Sequence, residues 1–383
     1  MSVTEAQIAG VIAWRSAPLY NVDSYRALLK QFRDPGALLG FSGFPEDLQG
    51  LAARLGSGGR VHEARNMIEH WQEQGIGLLV LGEPRYPKLL SELSDPPMIL
   101  TYRSKRKLCD LNRLLAISIV GSRQADREGV EIADAFGEAL ASNGVTVVSG
   151  LALGIDGAAH RGALRGAQCA PSETPPTIAI CGNGLRSVYP RTHEALARDL
   201  LESGGIMLSQ FDPNEPPYPV NFLNRNRLIA ALSLGTIVIQ ASEKSGSLVT
   251  ARNALEYGRE LFILPGSIKD PRYLGSNKLL QHGAHLVTQI DDIFEHLPEL
   301  SRARTVSPHA SAAAIGAASS PRHAHWLLAA LSQKQALHLD EARNHSPNQE
   351  QFFSELLALE LAGSIVRLPG NMLALSTKTR LGC

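Results

Sequence analysis

Five short stretches of this chain combine glycine, hydroxyl and basic side chains in the manner of anion-binding turns. VGSR (120–123) ends an apolar run with Gly121, Ser122 and Arg123. SGLALGID (149–156) ends another, with Gly150 and Gly154 bracketing a turn into a helical pattern. CGNGL (181–185) carries Gly182 and Gly184 at the end of a third. NRNRLI (224–229) reads as the opening of a helix that bears Arg225, Asn226 and Arg227. EKSGSLVTARNA (243–254) closes a further apolar run and opens a helix with Lys244, Ser245, Gly246, Ser247 and Thr250. At a helix N-terminus, unpaired backbone N–H groups and the helix dipole favour a phosphate. Glycine lets the ligand approach the backbone, hydroxyls donate hydrogen bonds, and the arginine fork matches phosphate oxygens. One such stretch is commonly just a tight turn; several in one chain favour a phosphate-binding edge.

Other chemistry is thinly represented. There is no Gly-Lys pair of a Walker loop, no H-E-x-x-H and no G-x-S-x-G. No G-x-G-x-x-G follows the first core strand. Asp156 and His160 lie four apart and share a helix face. They could form a base with its orienting acid or part of a metal site. The plainer reading is favoured, an aspartate bonded to backbone amides at a helix start beside a satisfied histidine, because a metal needs further ligands. Cys109, Cys169, Cys181 and Cys383 form no C-x-x-C pair, so neither a zinc knuckle nor a disulfide framework is expected. No cofactor is expected.

The elements that must hold these stretches follow from apolar periodicity. Buried strands are expected at Leu114–Val120, Val145–Val148, Thr177–Cys181, Ile206–Leu208, Thr236–Ile239 and Leu261–Leu264. Helical patterns lie between most of them, one with its apolar stripe at Val130, Ala133, Gly137, Leu140 and Ala141, another including Ala251, Ala254 and Leu255. Strands alternating with helices imply an α/β fold with a mainly parallel sheet covered on both faces, which binds ligands beyond the carboxyl ends of its strands. Residues 1–75 read as a small helical domain. Its patterns run through Tyr25, Leu28, Leu29 and Phe32, and through Val61, Ala64, Ile68 and Trp71 to a stop at Gly75. Residues 76–112 read as a proline-rich lead-in to the core, which extends to 297. A Ser/Ala/Pro-rich linker spans 298–322. Residues 323–383 read as helices and a hairpin around Gly370-Asn371, a winged-helix-like domain. That domain has five basic residues against five acids, which argues for packing or protein contact ahead of DNA binding.

Composition narrows the class. Of the 383 residues, 44% are apolar and 19% charged, as in an ordinary soluble globular protein of two or three domains. No apolar run approaches the roughly 18 residues of a membrane span, and the N-terminus lacks the basic head of a signal peptide. A cytoplasmic location without membrane contact is expected. The net charge is zero, so any binding to nucleic acid must come from a local basic cluster. Two ligand classes fit the turns, a single nucleotide in a closed pocket or a nucleic-acid strand in an open groove.

The ordered series from IVGSRQADREGVEIADAFGEALASNGVTVVSGLALGIDGAAHRGAL through TIAICGNGLRSVYPRTHEAL to FLNRNRLIAALSLGTIVIQASEKSGSLVTARNALEYGRELFILPGS and GSNKLLQHGAHLV resembles the core of the DprA/Smf family, the DNA-processing proteins of bacterial natural transformation. The resemblance implies an extended Rossmann-like core that binds single-stranded DNA, usually as a homodimer, and loads RecA onto it without catalytic turnover. Gly121, Ser122 and Arg123 match that family's G-S/T-R motif; Arg225, Asn226 and Arg227 its R-N-R; Lys244, Ser245, Gly246, Ser247 and Thr250 its K-S-G-S-x-x-T segment. The N-terminal helices resemble the family's sterile-alpha-motif-like domain and the C-terminal segment its winged helix. Leu153 stands where many members carry Arg, and Gln210 and Gln240 stand where Glu is common. The alternative is an enzyme like the Rossmann-like nucleoside monophosphate hydrolases. The chain lacks their P-G-G-x-G-T-x-x-E segment, and KSGSLVTARNA, its nearest counterpart, lacks the glutamate.

Overall fold

The computed structural model describes residues 3–17, 21–169, 174–300 and, between 327 and 375, residues 327, 330–331, 337–346, 352–361, 365–368 and 371–375. The chain forms two compact units, Met1–Ser311 and Ala312–Cys383.

In the first unit four α-helices come first, α1 (Glu5–Ser16), α2 (Val22–Leu29), α3 (Gln49–Leu55) and α4 (Gly58–Glu73). Thr4 and Gln7 close a reciprocal capping box at the start of α1. Helix α4 buries Ala64, Ile68 and Trp71 and stops before Gly75 at φ +71°, a left-handed position suited to glycine. The lead-in segment does more than connect. It supplies β1 (Gly77–Val80) and β2 (Ile99–Arg103), which pair antiparallel at one sheet edge, and the short α5 (Lys88–Ser91) between them. Breakers crowd their apolar runs, Gly75, Gly77 and Gly82 around β1 and Pro96-Pro97 ahead of β2, so they do not stand out as strands. Docking onto the sheet makes them so.

The sheet of the described residues then takes in β3 (Ala116–Gly121), β4 (Thr146–Ser149), β5 (Thr177–Ile180), β6 (Ile206–Ser209), β7 (Gly235–Ile239), β8 (Glu260–Ile263) and β9 (His285–Leu286). The strand order is β1-β2-β6-β5-β4-β3-β7-β8-β9, parallel from β6 to β9 and antiparallel where β2 joins β6. The helices that alternate with these strands are α6 (Arg127–Ser142), α7 (Ile155–Cys169), α8 (Glu194–Glu202), α9 (Pro219–Ala231), α10 (Ser247–Glu256), α11 (Leu274–Gln281) and α12 (Ile290–His296). All six expected core strands are present. Helix α6 buries Ala133, Gly137, Leu140 and Ala141 as its stripe requires. Leu255 departs from expectation, at 45% exposed, because α10 turns only Ala251 and Ala254 of that trio inward.

The strands alternate between two cores. Ile117, Ile119, Val147, Ile237 and Ile239 face α6, α7 and α12. Ala116, Val120, Val148 and Val238 face the other side, in one continuous core with residues from α8, α9, α10 and the N-terminal helices. Side chains that alternate with a period of two explain why these runs are apolar throughout. On the second face Ser118 donates to the Ile229 carbonyl, 2.7 Å, and meets Ser233 Oγ at 2.6 Å, which pins α9 to β3. Helix α1 lies against β1, where a Cβ on Gly10 would fall 2.2 Å from a Val80 methyl.

In the second unit β10 (Leu337–His338), β11 (Ile365–Leu368) and β12 (Met372–Leu375) form a sheet in the order β10-β12-β11, with helices α13 (Leu339–Asn344) and α14 (Phe352–Leu361). Strands β11 and β12 are the expected hairpin, with Asn371 at φ +54° in its turn. Leu331, Phe352, Leu356, Ile365 and Leu373 are among the residues that form its core. The linker expected at 298–322 falls, beyond Leu300, outside the described residues.

Candidate nucleic-acid interface

The strand order reverses direction at β3. Chain progression runs from β3 through β4 and β5 to β6 on one side, and from β7 to β9 on the other. The loops that leave the carboxyl ends of β3 and β7 therefore diverge, and a cleft opens between them. It has a volume of about 630 Å³. Gly121, Ser122 and Arg123 line it from the turn after β3. Lys244, Ser245, Gly246, Ser247 and Thr250 line it from the turn after β7 and the start of α10. Arg225 and Asn226 reach it from α9. Gly150, Gly182, Gly184 and Arg227 lie outside this lining.

The two exposed cations, Arg123 and Lys244, form no ion pair among the described residues. The Arg123 guanidinium lies over the Phe222 ring, 5.4 Å from its centroid. The neighbouring Glu243 makes its ion pair with Lys278, and its charge is also stabilised by Lys244. The Ser245 and Ser247 hydroxyls meet at 2.6 Å ahead of α10. At Gly246 an added Cβ would meet nothing within 4 Å; internal packing gives no reason for a glycine there, and its bare backbone faces open space.

The R-N-R arginines sit differently from the sequence expectation. Pro219 begins α9, since its fixed φ and missing N–H suit a first helical position. Arg225 and Arg227 therefore lie in the helix body, not at its opening. Arg225 is only 2% exposed. Its Nη1 donates to the Gly150 carbonyl at 2.8 Å and closely to the Ile180 carbonyl. It thus clamps the carboxyl ends of β4 and β5 together, and Gly150 is required because a Cβ there would lie 2.6 Å from that guanidinium. Burial pulls Arg225 down from its ordinary range, opposed by the Asp156 charge; an arginine so far above neutral pH stays protonated. Arg227 binds Asp95 at 3.0 Å and the Gln210 side chain at 2.8 Å, docking the lead-in segment onto α9. Asn226 donates to the Gly246 carbonyl at 3.3 Å and so ties α9 to the turn after β7.

Glycines 182 and 184 answer to packing. A Cβ on Gly182 would strike the Phe222 ring at 2.5 Å, and one on Gly184 would strike the Asp212 carbonyl at 2.1 Å. No helix opens directly from this turn; the next α-helix begins at Glu194.

Asp156 accepts from the Gly150 amide at 3.1 Å. Burial pushes its carboxyl up, with Arg225 and the Ala152 and Gly150 amides pulling the other way. His160 is fully buried. Its Nε2 accepts from the Leu151 amide at 3.3 Å and its Nδ1 faces Thr177 Oγ1 at 2.7 Å. These partners assign the proton to Nδ1, and burial pulls the ring down to about 3. The pair bonds backbone: Asp156 holds the Gly150 amide and His160 the amide of Leu151, which takes φ +57°, in the turn after β4. Among the described residues no group of three or more His, Cys, Asp or Glu could hold a metal ion.

The two glutamines noted in the sequence have partners of their own. Gln240, at φ +52° after β7, accepts from the Asp126 amide at 3.2 Å and donates to Asp126 Oδ1 and to the Tyr273 hydroxyl. Asp126 caps α6 through the Gly129 amide, which holds its carboxyl below the usual range. A carboxylate at 240 would face that charge. Gln210 serves Arg227.

Sequence reasoning missed the aromatic wall. The rings of Tyr189 and Phe222 lie 5.2 Å apart, and both line the cleft. Tyr189 is 45% exposed, and Leu223, which also lines the cleft, is 50% exposed. Phe222 stands one helical turn before Arg225, a spacing that could have revealed it. Tyr189 comes from the loop after β5 and carries no such signal.

A doubly wound α/β core with a cleft at its switch point defines a Rossmann-like protein, and cationic and hydroxyl groups surround that cleft. The chain belongs to the DprA/Smf family: the model of the family described as DNA recombination-mediator protein A matches residues 77–298. It is 36% identical over 314 residues to Protein Smf of Escherichia coli K12, covering 80% of this chain and 79% of that one. It is 38% identical over 233 residues to DNA processing protein DprA of Bacillus subtilis, covering 61% and 75%. Among solved structures it is similar to DprA of Streptococcus pneumoniae, with a TM-score of 0.58 at 30% identity over 77% of this chain and 98% of that one. It is also similar to Helicobacter pylori DprA, described for its single-stranded DNA binding mode, with a TM-score of 0.51 at 32% identity over 58% and 96%.

Proposed function

We propose that this protein binds single-stranded DNA along the carboxyl edge of its sheet and acts in DNA processing during transformation and recombination. Family membership supports the DNA-processing role, and the Bacillus subtilis and Streptococcus pneumoniae relatives are named for DNA processing. The observation that carries the binding reading is the cleft itself. Two exposed cations without an ion-pair partner among the described residues flank an aromatic wall, which is the combination a single strand requires: charge for phosphates and ring faces for bases. Backbone groups of the turns after β3 and β7 complete the track, with Gly121, Ser122, Ser245, Gly246, Ser247 and Thr250 beside it.

The finer assignments extend this reading. The protein works as a homodimer in the cytoplasm, protects incoming DNA and loads RecA onto it, without turnover. A neutral, fully bonded His160 and a buried Asp156 support a binding role in preference to acid–base chemistry. No helix among the described residues is long and apolar enough to cross a membrane. The C-terminal unit serves as a winged-helix-like contact domain beyond the linker.

The test is a salt titration of oligonucleotide binding by anisotropy. Arg123→Ala combined with Lys244→Ala weakens binding to any sequence. It also reduces the magnitude of the log–log salt slope by about 1.4, two phosphate contacts at roughly 0.7 each on a single strand. An unchanged slope would overturn the assignment. RecA loading is tested by the lag in strand exchange on DNA coated with single-strand binding protein, which the protein shortens.

A further inference from the structure

A second hollow of about 210 Å³ lies among the N-terminal helices, walled by α1, α3 and α4. Its chemistry is unlike that of a packing defect. Arg15, Arg54 and Arg60 converge on it together with one acid, Glu63, above a floor that includes Val11, Ile12, Ala64 and Met67. Arg60 and Glu63 pair at 2.8 Å. Arg15 finds only the Met67 thioether, at 3.6 Å, a weak acceptor. Arg54 is half-buried and forms no hydrogen bond or ion pair among the described residues. Three guanidiniums against one carboxylate leave a net charge of about two positive units around one concavity. Helix dipoles favour a basic residue in a last turn, where Arg15 and Arg54 both stand. That accounts for each alone, but not for their convergence with Arg60 on the same hollow. Like charges held together repel unless an anion joins them.

We infer that this hollow is an anion site, separate from the sheet-edge cleft, that takes the phosphate group of a small phosphomonoester. A dianionic phosphate neutralises the excess charge, and its oxygens match the planar forks of Arg15 and Arg54. The apolar floor takes a small carbon body attached to it. The volume falls below the roughly 300 Å³ at which pockets for drug-sized ligands begin, so the site admits a small molecule and excludes a length of DNA. The inference stands independently of the reading of the cleft.

Calorimetric titration of the full chain in chloride buffer tests it, with inorganic phosphate and phenyl phosphate as probes. Both are expected to bind, phenyl phosphate more tightly because of the floor. Arg15→Gln with Arg54→Gln weakens binding by at least about tenfold, the loss of one or more charge-assisted hydrogen bonds, and leaves oligonucleotide binding unchanged. Arg123→Gln with Lys244→Gln leaves phosphate binding unchanged. Arg54→Gln alone serves if the double variant does not fold. Inorganic phosphate binding as tightly as phenyl phosphate would remove the carbon body and leave a free-phosphate site. No binding by either probe, binding untouched by loss of Arg54, or binding lost in the cleft variant overturns the inference. So does an acidic peptide that binds the hollow where neither phosphate does.

Discussion

The turns after β3 and β7 and the turns after β4 and β5 use the same residue types to opposite ends. All four bear glycines close to strand ends, and all four emerge on one edge of the sheet. After β4 and β5 the glycines make room for protein: Arg225 against Gly150, Phe222 against Gly182, the Asp212 carbonyl against Gly184. After β3 and β7 the turns diverge and leave Arg123 and Lys244 exposed, while Gly246 borders empty space. One pair of turns is filled from within and serves as a wall. The other is packed at Gly121, where a Cβ would fall 1.9 Å from the Ile239 carbonyl, and stands open only farther out, at Gly246 and the two exposed cations. A glycine-rich strand end is therefore ambiguous until its neighbours are known.

The comparison is broken most directly at Arg225. Replacing it with Met leaves the Gly150 and Ile180 carbonyls without their donor inside the protein. Unfolding stability in urea is expected to fall by about 3–5 kcal/mol, the range for breaking a buried charged group's partnerships. A variant that keeps its stability but loses DNA binding would move Arg225 from wall to ligand contact.

The closed side should also be sensitive to acid. His160 has a folded pKa near 3 against 6.5 when free, so the unfolded chain takes up its proton first as pH falls. Its contribution is complete above pH 6.5 and declines as pH drops toward 3, by up to about 1.4 kcal/mol per pH unit. Denaturant titrations between pH 7 and 4 should show this loss, and His160→Gln should flatten the profile over that interval.

On the open side the effects fall on binding alone. Tyr189→Ala should cost about 1 kcal/mol or more of oligonucleotide affinity, as expected for one stacked base. The salt slope should stay as it was, since no phosphate contact is removed. Stability should change by less than about 0.5 kcal/mol, because the ring is largely at the surface. A large stability loss would place Tyr189 with the wall. The smallest effect is expected at Gly246→Ala. With nothing near the new methyl, thermal stability should shift by less than about 1 kcal/mol. Any loss of DNA affinity then reports how closely the strand approaches that backbone.

Much of the frame was legible in the chain. The six core strands and the α6 stripe could be read because a buried parallel strand is a short, continuous apolar run and a helix repeats every three to four residues. The edge strands β1 and β2 could not, because GLLV lies between Gly75 and Gly82 and ILTYR follows Pro96-Pro97; they become strands only by pairing with each other and, for β2, with β6. Within the candidate site, local motifs pointed to Arg123 and Lys244, and the structure leaves both exposed at the cleft. They gave no warning that Arg225 points inward. A helix set by Pro219 places it over Gly150, seventy-five residues away in sequence. Gln240 shows the same limit. Its place beside Asp126 depends on β3 and β7 being neighbours.

By itself, the order of residues determined the α/β class, the parallel core and the identity of the turns that carry charge and hydroxyl groups. These follow from periodicity and side-chain chemistry, which are local. Tertiary structure alone decided which turns stand open, which arginines are clamps, and that Tyr189 and Phe222 share a wall with Arg123. Those outcomes turn on which strands lie side by side. At the switch between β3 and β7 the loops part and solvent enters, whereas between β4 and β5 they meet and a buried guanidinium fills the gap.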